Sequence, residues 1–154
     1  MERILSLFNP SAINFRKVML TDLALKGLEI SVALPAKMIE EWQAKCPTVR
    51  FVPFEAFSGT SVGLLNNLKT LLAMRKLLKQ EKPNAVFFGN VKPNIYGGLI
   101  AHWLGIKRTY GLVSGLGYAF IDVPGLKRAF VKRVCMLLYR WSFRNFTHVF
   151  FQNK

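Results

Sequence analysis

Acidic side chains are scarce in this sequence and almost missing from its second half. Against 22 lysines and arginines stand eight aspartates and glutamates, and Asp122 is the only acid after Glu81. No paired carboxylates stand out for general acid–base work, and neither Asp22 nor Glu55, the two acids near apolar segments, suggests a catalytic role. Cysteine is equally sparse. Cys46 and Cys135 stand far apart, without C-x-x-C spacing or histidine companions, which excludes a disulfide framework and a zinc site and leaves two buried free thiols. The two histidines, His102 and His148, have no metal-ligand neighbour and no partner at catalytic spacing, so both read as structural. No apolar run approaches the roughly 18–20 residues that span a bilayer. The G-x-G-x-x-G fingerprint, the Walker loop, internal repeats and low-complexity linkers are all absent. The N-terminal MERILSLFNP has only a few apolar residues and no small-residue cleavage site, so it reads as a first strand and the chain is expected to stay in the cytoplasm.

What the sequence does have is positive charge, unevenly placed, and a large apolar fraction. The net charge is +14; residues 1–81 carry 11 basic and seven acidic side chains, and residues 82–154 carry 11 and one. Such a field favours nucleic acid, an anionic membrane surface or a phosphorylated substrate, and charge alone does not choose among them. Nucleic acid is disfavoured because no aromatic stacking platform is interleaved with basic strands and no nucleic-acid motif is present. With 51% hydrophobic residues the chain has enough material for a packed core, and its 154 residues suit one domain.

Periodicity alternates between strand and helix. Strands are expected at 3–8, 29–34, 48–52, 85–88, 107–113 and 147–152. Between them come helices over 14–26, 38–45, 64–80, one beginning at Pro93, and 124–146, with a loop at 54–63. The order predicts an α/β fold, a Rossmann-like doubly wound parallel sheet with right-handed crossovers, as one domain over residues 1–154. In such sheets ligands bind at the carboxyl ends of the strands, so the loops at 89–94 and 114–118 are the candidate site. Lys92, Pro93 and Asn94 offer a lysine beside free N–H groups at a helix start, a ready anion site; S-G-L-G-Y at 114–118 marks a turn. Tyr96, Tyr110 and Tyr118 read as packing residues.

The helix over 124–146 has two sides. At 100° per residue, Leu126, Phe130, Val134, Leu137, Leu138 and Trp141 form the face expected to pack on the sheet. Arg128, Lys132, Arg133 and Arg140, interleaved with Met136 and Phe143, form the other. Basic groups mixed with apolar ones suit an anionic bilayer surface, whereas a purely solvated face would usually carry acids as well.

Taken in order, ILSLFN at 4–9, INFRK at 13–17, KPNAVFF at 82–88, VKPNIYGGLIA at 91–101, SGLGYAF at 114–120 and HVFFQN at 148–153 make the chain resemble the N-terminal half of bacterial glycosyltransferase family 4 enzymes of the two-domain GT-B fold. The nearest subgroup transfers a hexose or N-acetylhexosamine from a nucleotide sugar to a polyprenyl-diphosphate-linked sugar during capsule, lipopolysaccharide O-antigen or glycan assembly. The resemblance implies an acceptor-binding domain, peripheral on the inner face of the cell membrane. By position, Asn9, Ser11, Asn14, Phe15 and Arg16 would line one acceptor loop, Lys92 and Asn94 a second, and Ser114, Gly115, Gly117 and Tyr118 a third. It implies no catalytic base, metal or cofactor in this half. The nucleotide-sugar site and the E-x7-E motif belong to a C-terminal domain in that family. The chain is therefore expected to be inactive until a donor domain completes it; a split enzyme with a separate donor chain, a truncated remnant and a chain cut at the domain boundary all fit.

Overall fold

Apolar runs at 30–34 and 85–89 are buried almost throughout, as the inner strands of a parallel sheet flanked by helices require, whereas the run at 148–151 is largely exposed. The computed structural model describes residues 2–56, 64–114 and 126–152. The strands are β1 (Arg3–Leu7), β2 (Glu29–Leu34), β3 (Arg50–Pro53), β4 (Ala85–Gly89), β5 (Arg108–Val113) and β6 (His148–Phe151). They form one six-stranded sheet, all neighbours parallel, in the order β3-β2-β1-β4-β5-β6. The expected strands agree to within two residues at each end. Pro53 closes β3 from inside it, at the sheet edge where its missing N–H is harmless.

The helices are α1 (Lys17–Leu25), α2 (Ala36–Lys45), α3 (Leu64–Glu81), α4 (Gly98–Trp103) and α5 (Leu126–Phe143). Against one face of the sheet, α1 and α2 help to bury Leu20, Ile30, Val32, Leu34, Trp42, Val49 and Phe51. Against the other, α3 and α4 enclose Leu5, Leu7, Met74, Leu78, Val86, Phe88 and Ile100, with Phe146 beyond α5 packed alongside. Of the two cysteines Cys46 is buried and Cys135 partly so.

Two helices begin differently from expectation. The segment Pro10–Phe15 is a 3-10 helix, and α1 starts only at Lys17. Pro10 at its first position, capped by Asn9 whose side chain accepts from the Ser11 N–H, tightens the chain into the narrower helix. Phe15, Val18 and Leu25 are exposed, while Ile13 and Leu20 are buried. In α3, likewise, Met74, Leu77 and Leu78 face inward and Leu68 and Leu72 outward. After β4, Pro93–Gly97 forms a turn of π-helix that leads into α4.

The approach of that turn to its neighbours depends on glycine. A β-carbon on Gly98 would collide with the Ser142 hydroxyl and the Phe146 ring, and one on Gly111 with the same ring. Gly98→Ala is expected to cost about 1–3 kcal/mol through overpacking, read as a lower urea midpoint with an unchanged slope.

Candidate functional site at the carboxyl edge of the sheet

Strand order reverses between β1 and β4, so their carboxyl ends open the crevice where an α/β sheet binds its ligand. The loops after these strands are tied together there. Asn90 has φ 71°, in the left-handed region that asparagine tolerates better than most residues, and its side-chain Oδ1 accepts the Asn9 N–H at 3.2 Å. Asn9 Oδ1 in turn accepts from the Ser11 N–H at 3.4 Å and the Ser11 hydroxyl at 3.2 Å. Ser11, Asn14 and Phe15 are exposed beside this knot.

Arg16 extends the edge. Its Nη2 donates to Gln152 Oε1 at 3.0 Å, joining the loop after β1 to the residue after β6, although β4 and β5 lie between those strands. Its Nε is buried and has no hydrogen-bond partner among the described residues. Desolvation pushes the guanidinium down from its ordinary value, the direction that a nearby anion would reverse.

Lys92 is half-buried and lines a cleft of ≈ 400 Å³ with Glu55, Asn66, Lys69 and Thr70. Glu55 is engaged there, its Oε1 accepting the Ala36 N–H at 2.7 Å where α2 begins. The helix-start anion site read from the sequence is corrected in part. The Asn94 N–H donates to the Asn90 carbonyl at 3.1 Å, and Pro93 has no N–H, so neither of these two positions offers a backbone donor to an anion, and the Lys92 side chain stands beside them.

Asn94 itself is completely buried. Its Nδ2 donates to the Leu112 carbonyl at 2.9 Å, and its own carbonyl accepts the Ser142 hydroxyl at 2.7 Å. Asn94 therefore joins the turn after β4 to β5 and α5 rather than facing the crevice, although its Oδ1 finds no partner among the described residues. Ser114 ends β5 and is half-buried. Gly115, Gly117, Tyr118 and the side chain of Arg128 lie outside the described residues. Asn90, Gln152, Lys69 and Ser142 are additions that the sequence reading missed. Asn90 alone left a signal, the break at Gly89-Asn90.

On α5 the expected faces are rotated. Tyr139 and Ser142 are buried, and Cys135, Leu138 and Phe143 are partly so; Phe143 packs on Tyr139 and Phe146, with ring centroids 5.0 and 5.1 Å apart. Phe130, Val134, Leu137 and Trp141, expected to pack on the sheet, are instead 70%, 36%, 61% and 59% exposed. The inward side of the helix combines the buried hydrogen bond from the Ser142 hydroxyl to the Asn94 carbonyl with the aromatic packing of Tyr139 and Phe143. Arg133, Met136 and Arg140 are exposed as expected, whereas Lys132 is half-buried and Phe143 turns inward.

A larger groove, ≈ 750 Å³, lies at the opposite, amino edge of the sheet, between Glu2, Lys79, Lys82, Lys107 and Arg108. Its cations have local work. Arg108 is paired with Glu2, and α3 and α4 end beside the groove, where lysines offset the negative helix termini. Among the described residues no group of three or more metal-ligating side chains occurs, and no helix is long and apolar enough to cross a membrane.

Comparison with known proteins bears on this arrangement. The model of the family described as "glycosyl transferase 4-like" matches residues 3–153. An N,N'-diacetylbacillosaminyl-diphospho-undecaprenol alpha-1,3-N-acetylgalactosaminyltransferase of Campylobacter jejuni is 35% identical over 94 residues, 61% of this chain and 24% of that one. The chain thus spans about a quarter of the length of the curated relative it matches. Among solved structures, MurG of Acinetobacter baumannii superposes with a TM-score of 0.55 at 18% identity over 87% of this chain and 39% of its own. The calicheamicin glycosyltransferase CalG4 gives 0.55 at 17% over 96% and 38%. A UDP-GlcNAc 2-epimerase of Methanocaldococcus jannaschii gives 0.57 at 16% over 99% and 40%. Transferases and an epimerase share the architecture, so these likenesses establish the fold and leave the chemistry to the site.

Two outcomes follow from the geometry. Asn90→Ala should cost about 1–2 kcal/mol, since it loses the bond to Asn9 and strains a left-handed backbone; Asn90→Gly, which relieves the strain, should cost less, as denaturant titration would read. Burial pushes the Tyr139 phenol well above its ordinary range, so the fold favours the neutral form. That contribution is complete below the ordinary phenol range and is lost as pH rises through the raised value. The thermal midpoint should fall above about pH 10, and fall less in Tyr139→Phe.

Proposed function

Since the chain belongs to the glycosyl transferase 4-like family, we propose that it is the acceptor-binding, membrane-associated half of a glycosyltransferase. The complete enzyme would transfer a hexose or N-acetylhexosamine from a nucleotide sugar to a polyprenyl-diphosphate-linked sugar in surface polysaccharide or glycan assembly. The observation that carries this reading is Arg16. It is held at the carboxyl edge by Gln152, and its buried Nε has no partner among the described residues, which leaves the guanidinium a donor for a diphosphate. Guanidinium groups suit phosphate because their fork presents parallel donors to two oxygens.

Lys92, in the loop after β4, supplies a second cation to the diphosphate, and Asn9, Ser11 and Asn14 offer polar groups for the sugar. Ser114, at the end of β5, begins the third acceptor loop, to which Gly115, Gly117 and Tyr118 also belong. Asn94 serves by holding the Lys92 loop in place. The Campylobacter jejuni relative, named as a transferase acting on a diphospho-undecaprenol-linked sugar, supports this substrate class. The nucleotide-sugar site belongs to a second domain, on the same polypeptide or another, and no catalytic base is assigned here. The chain lies peripherally on the inner face of the cell membrane through the outward side of α5, where Arg133, Met136 and Arg140 meet lipid.

Titration of the chain with a detergent-solubilised polyprenyl-diphospho-N-acetylhexosamine tests the reading by calorimetry. Binding is expected, weakened about tenfold or more by Arg16→Gln and by Lys92→Gln, as loss of a charge-assisted contact implies. A uridine-diphosphate sugar should show no measurable binding. Micromolar affinity for the nucleotide sugar, or none for the lipid-linked sugar, would sink the assignment.

A further inference from the structure

We propose that α5 carries a binding cleft for the phosphate group of an anionic phospholipid, formed by Arg140 and Arg144 over Leu137, Leu138 and Trp141. The inference rests on the membrane reading above and gives it a lipid chemistry and a defined place. These five residues line a cleft of ≈ 390 Å³. The arginines stand four positions apart, one helical turn, so both guanidinium groups reach the same space.

Like charges at this spacing repel and weaken a helix unless an anion sits between them. Among the described residues neither arginine forms an ion pair, and no acid occurs in the sequence after Asp122. An anion from outside would relieve the repulsion. Both side chains are exposed and open to it.

The neighbouring surface says what kind of body carries that anion. On a helix turning about 100° per residue, Phe130, Val134, Leu137 and Trp141 fall within roughly 60° of one another, and Arg133, Arg140 and Arg144 occupy the roughly 40° alongside. All seven are exposed. The apolar ladder runs 11 residues, about 16 Å, along the helix axis. A long apolar strip with cations on one flank fits a helix lying in the plane of a bilayer, its side chains reaching the acyl boundary and its guanidinium groups the phosphates. Tryptophan favours that same depth. A protein partner would need an apolar groove rimmed by acids. A bilayer offers both features along the whole length without a matched shape.

Vesicle flotation with the full chain tests the cleft against general electrostatic attraction. Arg140→Gln/Arg144→Gln should weaken partition onto phosphatidylcholine vesicles containing phosphatidylglycerol by roughly 25-fold, the loss expected for two interfacial cations. An equal charge change on α3, Lys76→Gln/Lys79→Gln, should alter it less than about threefold. All four residues are exposed, and unchanged far-ultraviolet dichroism and thermal midpoints verify folding. If both pairs weaken binding equally, the cleft is overturned and the membrane reading stands. If the native chain fails to bind these vesicles, both are overturned. A third arm uses neutral vesicles doped with a polyprenyl diphosphate; dependence on Arg140 and Arg144 only there would assign the cleft to the acceptor and overturn the phospholipid.

Discussion

The closeness with which the turn after β4 meets β5 and α5 sets the shape of the whole carboxyl edge. Backbone polar groups cannot be buried without partners, and this turn is buried almost throughout. Glycines at 98 and 111 remove the β-carbons that would hold it away, so Phe146 can fill the gap between the turn and the sheet. Asn94 then spends its amide on the Leu112 carbonyl and its own carbonyl on Ser142. Ser142 thus gives the Asn94 carbonyl a second donor beside the Gly98 N–H. With that turn seated, Asn90 can take its left-handed conformation and tie the loop after β1 to the loop after β4.

The same contact lies on the inward side of α5. Tyr139 and Ser142 are buried there, Cys135, Leu138 and Phe143 are partly covered, and Phe130, Leu137 and Trp141 face out. In a solvated helix this would be an unfavourable choice, since a contiguous strip of exposed Phe, Leu and Trp is uncommon on a soluble surface. It becomes reasonable where another apolar phase covers the strip. The positive charge of the chain is thus divided by place. Arg16 and Lys92 stand at the carboxyl edge, Lys79, Lys82 and Lys107 attend the helix ends at the amino edge, and the arginines of α5 look outward.

Much of this was legible in the residues. Strand positions emerged from short apolar runs closed by Pro, Gly and Asn, and the alternation of strand and helix predicted the parallel, doubly wound sheet. The carboxyl-edge location of the site followed from that topology. The faces of the helices did not follow so easily. In α1, α3 and α5 apolar residues are too numerous for one stripe, so periodicity offers several rolls of similar hydrophobicity and cannot rank them. In α5 the inward side includes the buried hydrogen bond from Ser142 to Asn94, a contact invisible to a count of apolar positions.

By itself, therefore, the sequence determined the fold class, the uneven charge and the position of the candidate loops, because these depend on local propensity, burial pattern and composition. Tertiary structure decided which side chains meet: Arg16 with Gln152, 136 positions away, Asn9 with Asn90, and Ser142 with Asn94. Such pairings depend on which strands become neighbours and how far each helix is rolled. Those are properties of the packed whole, and no window along the chain contains them.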